Sequence, residues 1–355
     1  MHIMISDTKL ERDILMTLNK RKVNYFFVSE TAKERLEEYL RTGDCYPLDV
    51  VVHLNTICNH RCNFCYNFLS LSKTGKRDVS HSLDTDYTIN LLQELEDVRI
   101  ESLVVSGGGE PLLHPGIETI LTKANDSDFS TFLYTNLDHN LNQNLISSLA
   151  KLDAVNVNIN TINEDCYRLS RGRYANLNRV KRNIETLLER GATVDASVIL
   201  RDDSIPTAEE TINWIADRGI RSVNVSPAFE LQYRDGVSTS EKFFQKLIEL
   251  RKIITRSNVR ILEPVEKVVT DSKGSVICKT HYFDITIGAD YLVYPCCMVS
   301  YFDGYDIVNL KNYNSFDEAW KSKERQSWID NVELECSTCW FAPANLIIKQ
   351  MRDVK

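Results

Sequence analysis

The chain has 355 residues, 43% of them hydrophobic, which is enough to bury one large core with a small additional unit. The formal net charge of −8 argues against a general nucleic-acid binder, because phosphate contacts need clustered Lys and Arg. No apolar run approaches the roughly 20 residues that cross a bilayer, so we expect no membrane span. The N-terminus lacks the apolar segment of a secretory signal, which predicts a cytoplasmic protein with reduced thiols.

Residues 1–47 precede the first predicted strand and are expected to form an N-terminal helical extension. Thr31 and Glu34 have the spacing of a capping box, which predicts that a helix begins there. Gly43 is a typical residue for the end of that helix. The segment should therefore pack as short helices against the main domain.

Cys58, Cys62 and Cys65 follow a β-branched strand predicted over residues 48–55 and have the spacing C-x3-C-x2-C. The residues between them are mostly polar, unlike the surroundings of a cysteine that is merely packed in a core. Three thiolates leave a tetrahedral zinc site one ligand short. A [4Fe–4S] cluster can take three cysteines and keep one iron open to a small molecule. The spacing therefore predicts a cluster with an open iron.

A glycine-rich segment follows the next predicted strand, IESLVVS, and consists of Gly107, Gly108, Gly109, Glu110 and Pro111. Glycine allows backbone carbonyl groups to approach an amine closely, and glutamate adds a charged acceptor. A phosphate-binding loop is disfavoured, because Glu and Pro stand where Lys and Ser or Thr are expected.

Together, CNHRCNFC and GGGEP resemble the motifs of the radical S-adenosylmethionine (SAM) superfamily. The resemblance implies that the open iron binds SAM and that Phe64, before the last cysteine of the triple, belongs to the cofactor site. It also implies that the segment Gly107–Glu110 lines the methionine amino group of SAM.

Strands and amphipathic helices alternate after the glycine segment, with strands predicted over residues 130–137, 154–161, 193–200 and 221–229. Six strands with intervening helices predict parallel βαβ units of an α/β fold. The pattern resembles the partial, TIM-like (β/α)6 barrel of radical SAM enzymes, here expected over residues 48–265. The C-terminal ends of such strands should carry the chemistry.

Polar residues near the end of the fourth strand are candidate SAM contacts by the same resemblance. Asn158 and Asn160 stand where the family has a polar pair that contacts the ribose and carboxylate. Arg171 or Arg173 stands where an arginine often pairs with the SAM carboxylate, although each could equally be a solvated helix residue. Cys166 is either a small packed residue or a thiol at the barrel mouth that returns a hydrogen atom to a substrate radical.

Residues 266–355 carry a second set of cysteines. Cys278 precedes a predicted β-hairpin, Cys296 and Cys297 end it, and a predicted helix, SFDEAWKSKERQSWID, returns the chain to the final C-x2-C pair. Four thiolates could hold zinc or a [4Fe–4S] cluster, and spacing alone does not decide. The segment resembles a twitch domain, the reduced form of a SPASM domain. That resemblance implies one auxiliary [4Fe–4S] cluster, whose ligands would be Cys278, Cys296, Cys336 and Cys339. Cys297 competes with Cys296 for the same place.

The resemblance implies an oxidoreductase (a dehydrogenase) or an epimerase. A 5′-deoxyadenosyl radical would take hydrogen from a small polyol, amino sugar or nucleotide-linked sugar, and flavodoxin or ferredoxin would donate electrons. One alternative is a maturase that modifies a ribosomally made peptide. Another is a non-catalytic zinc or iron–sulfur structural protein, which leaves GGGEP and the barrel pattern unexplained.

Overall fold

The computed structural model describes residues 29–65, 80–201, 203–227, 246, 248–250, 260–262, 276–332, 334–336, 344, 345, 348 and 351. Within these ranges the strands are β1 Asp49–His53, β2 Ser102–Ser106, β3 Ser130–Thr135, β4 Ala154–Asn158, β5 Val194–Leu200, β6 Ser222–Pro227, β7 Arg260–Leu262, β8 Val276–Ile277, β9 Asp284–Ile287, β10 Leu292–Tyr294, β11 Val308–Asn309 and β12 Glu335–Cys336. The helices are α1 Glu30–Thr42, α2 Thr85–Asp97, α3 Ile117–Asn125, α4 Gln143–Leu149, α5 Glu164–Arg171, α6 Leu177–Glu189, α7 Ala208–Asp217, α8 Phe316–Trp320 and α9 Lys323–Asn331.

Strands β1 to β7 lie side by side in chain order, and each neighbouring pair is parallel. Helices α2 to α7 connect β1 to β6, as parallel pairing requires. This arrangement confirms the predicted α/β fold with its partial, TIM-like barrel. The sequence did not reveal β7, which adds one more parallel strand beyond β6.

The C-terminal hairpin continues the same sheet. Strand β9 pairs in parallel with the free edge of β1, and β10 and β11 follow in antiparallel order. The hairpin itself was predicted, and Ile287 faces Val293 across it. The pairing of β9 with β1 was not predicted, because strand partners distant in sequence leave no local signal. The predicted boundary at residues 265 and 266 lies outside the described ranges.

The strands present two different faces, because successive side chains of a strand point in opposite directions. On one face every second residue is buried and apolar, as with Val50 and Val52 of β1 and Leu103 and Val105 of β2. Burying each such side chain stabilises the fold by about 1.5–3 kcal/mol. This outer face packs in one cluster with apolar helix residues that include Leu91, Leu92, Ile120, Leu121, Leu149, Ile184, Leu187, Ile212 and Ile215.

Helix α1 begins two residues earlier than the capping box predicted. Ser29, not Thr31, caps it, and its hydroxyl accepts a hydrogen bond from Ala32 N at 3.0 Å. Gly43 ends the helix as predicted, with a φ of 85° that favours glycine. The apolar side of α1 packs against the C-terminal region in a cluster that contains Leu36, Tyr39, Tyr282, Phe283, Ile348 and Met351.

The predicted helix over SFDEAWKSKERQSWID is two helices, α8 and α9. Ser322 interrupts it in an extended conformation, and its side chain accepts a hydrogen bond from Arg325 N at 3.2 Å. A serine that caps a new helix competes with continuation of the old one. Across the described ranges, none of the helices has the length and apolar character needed to cross a bilayer.

Candidate active site

The three cysteines of the triple lie in a loop, residues 56–65, that follows β1 at the C-terminal edge of the parallel sheet. We call this the cluster loop. Arg61 N donates to the carbonyl of Arg171 at 2.8 Å, and Asn63 N donates to the carbonyl of Ser170 at 3.0 Å. These carbonyls belong to the last turn of α5 and have no partner within their own helix. Helix α5 therefore fixes the backbone of the loop on both sides of its second cysteine, Cys62.

A buried carboxylate holds the loop from the opposite side. Asp138 lies 2.9 Å from His60 Nε2 and accepts hydrogen bonds from Arg179 Nε at 2.6 Å and Asn176 N at 2.9 Å. Its carbonyl accepts a further bond from Asn59 Nδ2 at 2.7 Å. Burial opposes ionisation of Asp138, but the hydrogen bonds from His60 and Arg179 outweigh it and lower the pKa to about 2.

The three thiols lie close enough to influence one another. Burial raises the pKa of Cys58 to about 12, and electrostatic repulsion from Glu110, Cys62 and Cys65 adds to the rise. Two N–H groups already approach the Cys58 sulfur: His60 N at 3.4 Å and Asn136 Nδ2 at 3.9 Å.

No group of three His, Cys, Asp or Glu side chains in the described part of the chain is arranged ready for a metal ion. Buried thiols such as Cys58 and Cys62, whose pKa values are raised by burial, are nonetheless unfavourable as thiolates unless a cation or cluster neutralises them. The donor set, three thiols of one loop with two N–H groups near the Cys58 sulfur, fits a cysteine-ligated iron–sulfur cluster.

The glycine segment lies directly against the cluster loop. Gly109 N donates to Asn55 O at 2.9 Å, and Glu110 N donates to Ile57 O at 2.7 Å. A Cβ on Gly109 would lie 2.0 Å from the carbonyl oxygen of Ile57, and one on Gly107 would lie 2.1 Å from Gly109 O. Both positions therefore require glycine, because the chain passes too close for any side chain.

Glu110 is only 2% exposed, and three protein groups donate to its carboxyl group. They are Thr135 Oγ1 at 2.5 Å, Asn136 N at 2.8 Å and Leu112 N at 3.1 Å. Burial raises its pKa to about 7 despite these bonds. The carboxyl group thus joins the glycine segment to the end of β3, and its contact with the SAM amino group stays a prediction.

The candidate SAM contacts after β4 occupy different environments. Arg171 is buried beside the cluster loop, and it donates to Asn158 O at 3.0 Å and also to the Asn158 side chain. Its guanidinium lies 5.4 Å from the Phe64 ring centroid. Asn160 Oδ1 accepts from Ile199 N at 3.0 Å, so it ties β4 to β5. Arg173 is exposed and covers the ring of Tyr174. The structure thus brings Phe64, Asn158 and Arg171 together and leaves Arg173 outside.

Cys166 lies in the first turn of α5, after the C-terminal end of β4. Its backbone N–H donates to the capping side chain of Asn163 at 3.0 Å, and its thiol is half-buried. The residue is therefore on the predicted side of the barrel. Its role as a hydrogen-atom donor stays a prediction.

The inner face of the sheet, opposite the helices, remains partly open. Register places Val51 beside Val104, Tyr134 beside Asn156, and Asn158 beside Ser197. Tyr134 is 44% exposed. Burial of part of the side chain and the nearby Asp195 and Cys297 nevertheless raise its pKa. Both observations are expected for a side chain that projects from the protein into an open space. Partly exposed inner-face residues near the C-terminal strand ends are Ser106, Tyr134, Asn158, Ser197, Ile199, Asn224 and Ser226.

The C-terminal cysteines fall into two groups around this face. Burial raises the pKa of Cys296, and repulsion from Cys297 and Cys278 adds to the rise. Burial and nearby Asp284 raise the pKa of Cys297 to about 12. Backbone pairing sets Cys336 opposite Val276, two positions before Cys278. Cys339 lies outside the described residues.

Sequence reasoning missed two residues of β9 on the inner face, next to β1. Asp284 is 8% exposed and Thr286 is fully buried, and among the described residues Asp284 Oδ1 and Thr286 Oγ1 have no hydrogen-bond partner. Register sets Asp284 beside Asp49 and Thr286 beside Val51. Their only sequence signal is the alternation within HYFDITI, and that alternation does not show which sheet they join.

A buried tyrosine connects the C-terminal region to the glycine segment. Tyr301 Oη lies 3.2 Å from His53 Nδ1 at the end of β1 and accepts from Ala289 N at 3.1 Å. Burial lowers the pKa of His53 to about 4, so the imidazole is neutral at pH 7 and can accept this hydrogen bond. A Cβ on Gly108 would lie 2.9 Å from Tyr301 Oη, which explains why the residue between Gly107 and Gly109 is also a glycine.

Three comparisons place these observations among known proteins. The chain is 21% identical over 254 residues to an S-adenosylmethionine-dependent nucleotide dehydratase of Flammeovirga pacifica, covering 66% of this chain and 86% of that protein. It is 24% identical over 160 residues to a dTDP-4-amino-4,6-dideoxy-D-glucose ammonia-lyase of Streptomyces venezuelae, covering 44% of this chain and 32% of that protein. The structure of Streptococcus suis SuiB bound to the precursor peptide SuiA superposes with a TM-score of 0.65 at 15% identity, covering 91% of this chain and 79% of SuiB.

Residues 52–215 match the family model of the radical SAM superfamily. The match contains both the cluster loop cysteines and the glycine segment, the two motifs on which the resemblance was based. The likeness to SuiB supports the same fold. A radical SAM domain implies a [4Fe–4S] cluster and SAM as cofactors. Residues 52–215 therefore form a radical SAM domain.

Proposed function

We propose that this radical SAM enzyme oxidises or epimerises a small hydroxylated substrate, such as a polyol, an amino sugar or a nucleotide-linked sugar, on the inner face of its sheet. The observation that carries the proposal is the lining of that face. Hydroxyl, phenol and amide groups of Ser106, Tyr134, Asn158 and Asn224 remain partly exposed there. Such neutral donors and acceptors suit the hydroxyl groups of a sugar-like molecule.

Cys58, Cys62 and Cys65 would hold the SAM cluster, and Phe64, Asn158, Asn160 and Gly107–Glu110 would surround SAM. When bound, the cluster and SAM supply a 5′-deoxyadenosyl radical, which takes a hydrogen atom from the substrate. The chain positions the substrate and excludes water. The name of the S. venezuelae relative gives a nucleotide-linked amino sugar as its substrate, which supports the sugar class over others.

The C-terminal cysteines Cys278, Cys296, Cys336 and Cys339 would hold one auxiliary [4Fe–4S] cluster. The interaction of Cys296 with Cys278 supports this set over one with Cys297. Such a cluster would lie beside the inner face and could accept the electron that an oxidation leaves on the substrate. The unpartnered oxygens of Asp284 and Thr286 lie on the same side and are suited to hydrogen-bond a substrate hydroxyl group.

Deuterium transfer tests the reaction and the substrate class together. Anaerobically reconstituted protein is mixed with SAM, dithionite and deuterated substrates from four classes: polyols, free amino sugars, nucleotide-linked sugars and short peptides. Deuterium in 5′-deoxyadenosine with a sugar or polyol supports the proposal, and a product lighter by two hydrogens identifies a dehydrogenase. Deuterium transfer only from peptides would contradict the proposal and favour the maturase alternative. Protein that holds zinc and cleaves no SAM would favour the alternative of a non-catalytic structural protein.

Cys166 gives the epimerase form of the proposal its own test. If its thiol returns the hydrogen atom, Cys166→Ala should stop inversion of the stereocentre while SAM cleavage continues. Solvent deuterium should then no longer enter the product at the inverted carbon. A Cys166→Ala variant that still inverts the substrate would show that the thiol is only packed.

A further inference from the structure

Arg171 is the largest fully buried side chain among the described residues, with 1% of its surface exposed. Its guanidinium donates to Asn158 and lies between the aromatic rings of Phe64 and Tyr167, at 5.4 and 4.8 Å from their centroids. Its Nε has no hydrogen-bond partner within the part of the chain that the structure describes. None of these contacts is a carboxylate, and no described Asp or Glu forms an ion pair with it. Arg171 is therefore a buried cation held by neutral groups.

A buried cation of this kind needs a negative partner. Removing a guanidinium from water costs several kcal/mol, and amide and aromatic contacts recover only part of that. Among the described residues, the group of opposite potential charge in contact with Arg171 is the Cys62 sulfur, which lies 4.0 Å from Arg171 Nη1. Hydrogen bonds to sulfur are long, so this distance is close to a direct contact.

The surrounding backbone fixes this approach. The carbonyl group of Arg171 accepts the hydrogen bond from Arg61 N at 2.8 Å, one residue before Cys62. The same residue therefore binds the cluster loop through its backbone and directs its side chain at the sulfur. Arg168, one turn earlier in α5, instead points outward and pairs with Glu164 at 2.8 Å. The burial of Arg171 is thus specific to that position.

We propose that Arg171 is the buried counter-ion of the cluster held by Cys58, Cys62 and Cys65, and that its charge favours the reduced state of that cluster. The inference rests on the proposed assignment of the SAM cluster to these three cysteines. A [4Fe–4S] cluster with three thiolates carries net negative charge, which grows on one-electron reduction. A fixed cation beside one thiolate stabilises the more negative state more strongly. Arg171 is then a positioning and tuning residue, distinct from an arginine whose main role is to bind the SAM carboxylate.

The test compares three variants of the reconstituted full chain by EPR-monitored redox titration without SAM. The signal that changes on later addition of SAM identifies the relevant cluster. Arg171→Met should lower the ratio of reduced to oxidised cluster at a fixed potential about tenfold, a shift of about 59 mV for one electron. Arg171→Lys keeps the charge and should shift by less than half as much. Arg168→Met removes an exposed cation from the same helix and should leave the potential unchanged.

Binding of SAM, measured by calorimetry, separates the two roles of the arginine. A potential equal to wild type in Arg171→Met, together with weakened SAM binding, would overturn the proposal in favour of a carboxylate-binding arginine. If Arg171→Met holds no iron, Arg171→Lys decides whether the charge at this position matters. Wild-type iron content and potential in Arg171→Lys support a role for charge. Failure of both variants to hold iron overturns the proposal. Wild-type protein that binds no iron at Cys58, Cys62 and Cys65 would instead refute the cluster assignment itself.

Discussion

The two cysteine regions of this chain are supported in different ways. The cluster loop is held by polar contacts from three directions: the last turn of α5, the buried Asp138 network and the glycine segment. The C-terminal cysteines Cys278, Cys296 and Cys297 instead flank a hairpin whose strand β9 joins the barrel sheet through β1. One region is a braced loop, and the other is an extension of the sheet.

The difference indicates how each region depends on its predicted cluster. A loop whose backbone is held by hydrogen bonds to other elements can keep its fold without a cluster, so only the thiol side chains need to rearrange to bind one. The C-terminal cysteines come from separate elements, β8, β10 and β12, and their two-residue strand pair contributes little stability alone. The C-terminal region should therefore depend more strongly on its cluster for folding.

Removing each set of cysteines gives the largest expected effect. Cys58→Ala/Cys62→Ala/Cys65→Ala should lose about four of about eight iron atoms per chain and all SAM cleavage. Cys278→Ala/Cys296→Ala should lose the same amount of iron but keep SAM cleavage, since the cluster loop does not use these residues. Iron and sulfide analysis with chromatography of 5′-deoxyadenosine measures both. Cys45→Ala, a thiol buried in the α1 cluster, is the matched control.

The comparison would break if the C-terminal variant also lost SAM cleavage while its cluster loop still held iron. That result would mean that the sheet extension supports the SAM site. Zinc in place of iron at the C-terminal cysteines would leave the cluster loop unaffected and would refute only the auxiliary cluster.

Cys296 and Cys297 should differ in the same assay. Cys296→Ala is expected to lose the auxiliary cluster, about four iron atoms, because Cys296 interacts with Cys278. Cys297→Ala should retain it, since Cys297 interacts with Cys296, Asp284 and Tyr134 rather than with Cys278. Iron content with Mössbauer spectra of each variant measures the difference. The reverse outcome would make Cys297 the ligand.

Asp138→Asn tests the brace of the cluster loop. The substitution removes the charged acceptor of hydrogen bonds from Arg179 and His60, and losing a hydrogen bond to a charged group typically costs about 1.5–3 kcal/mol. Urea unfolding of the iron-free protein measures the free energy. Asp153→Asn is a control that removes an exposed acidic side chain bonded to Thr131 N. Equal stability of the two variants would show that the Asp138 network does not brace the loop.

The sequence predicted the local parts of this arrangement well. Cysteine spacing and the glycine segment identified the cluster loop, because both features lie within a few neighbouring residues. The roles of Asp138, Tyr301 and Asp284 could not be predicted, since each acts on residues distant in sequence and none belongs to a motif. Glu110 shows the limit within a motif: its position was recognised, but its three hydrogen-bond donors come from the folded structure.

Helix ends show the same limit. The Thr31 capping box and the single helix over residues 315–330 were both wrong, because a neighbouring serine provided the cap. Thr207 and Glu210 have the same capping-box spacing, which predicts a helix start at Thr207. Thr207 does not cap α7 through its side chain, however, and its hydroxyl donates to Ser204 O instead. Ser and Thr near a boundary compete for the capping position, and packing decides among them.

Glu110→Gln should change how stability depends on pH. The folded pKa of about 7 lies above the ordinary value of 4.5 because the carboxyl group is buried. The folded state therefore holds a proton that the unfolded state releases, and stability falls as pH rises from about 4.5 to 7. The Gln variant should lack about 3 kcal/mol of this fall. Unfolding of both iron-free proteins at pH 5 and pH 8 measures the difference, and parallel pH curves would contradict it.

Tyr301→Phe gives the smallest expected effect and tests the one described side chain that joins the sheet extension to both β1 and the glycine segment. The substitution keeps the ring but leaves Ala289 N and His53 Nδ1 without their partner, which should cost about 1–2 kcal/mol. Tyr294→Phe, which removes a hydrogen bond to Asp290 inside the hairpin, is the control. If the two regions are coupled, only Tyr301→Phe should also weaken SAM binding, because Gly108 rests against its hydroxyl. Equal SAM affinity in both variants would show that the sheet extension and the SAM site share a strand but act independently.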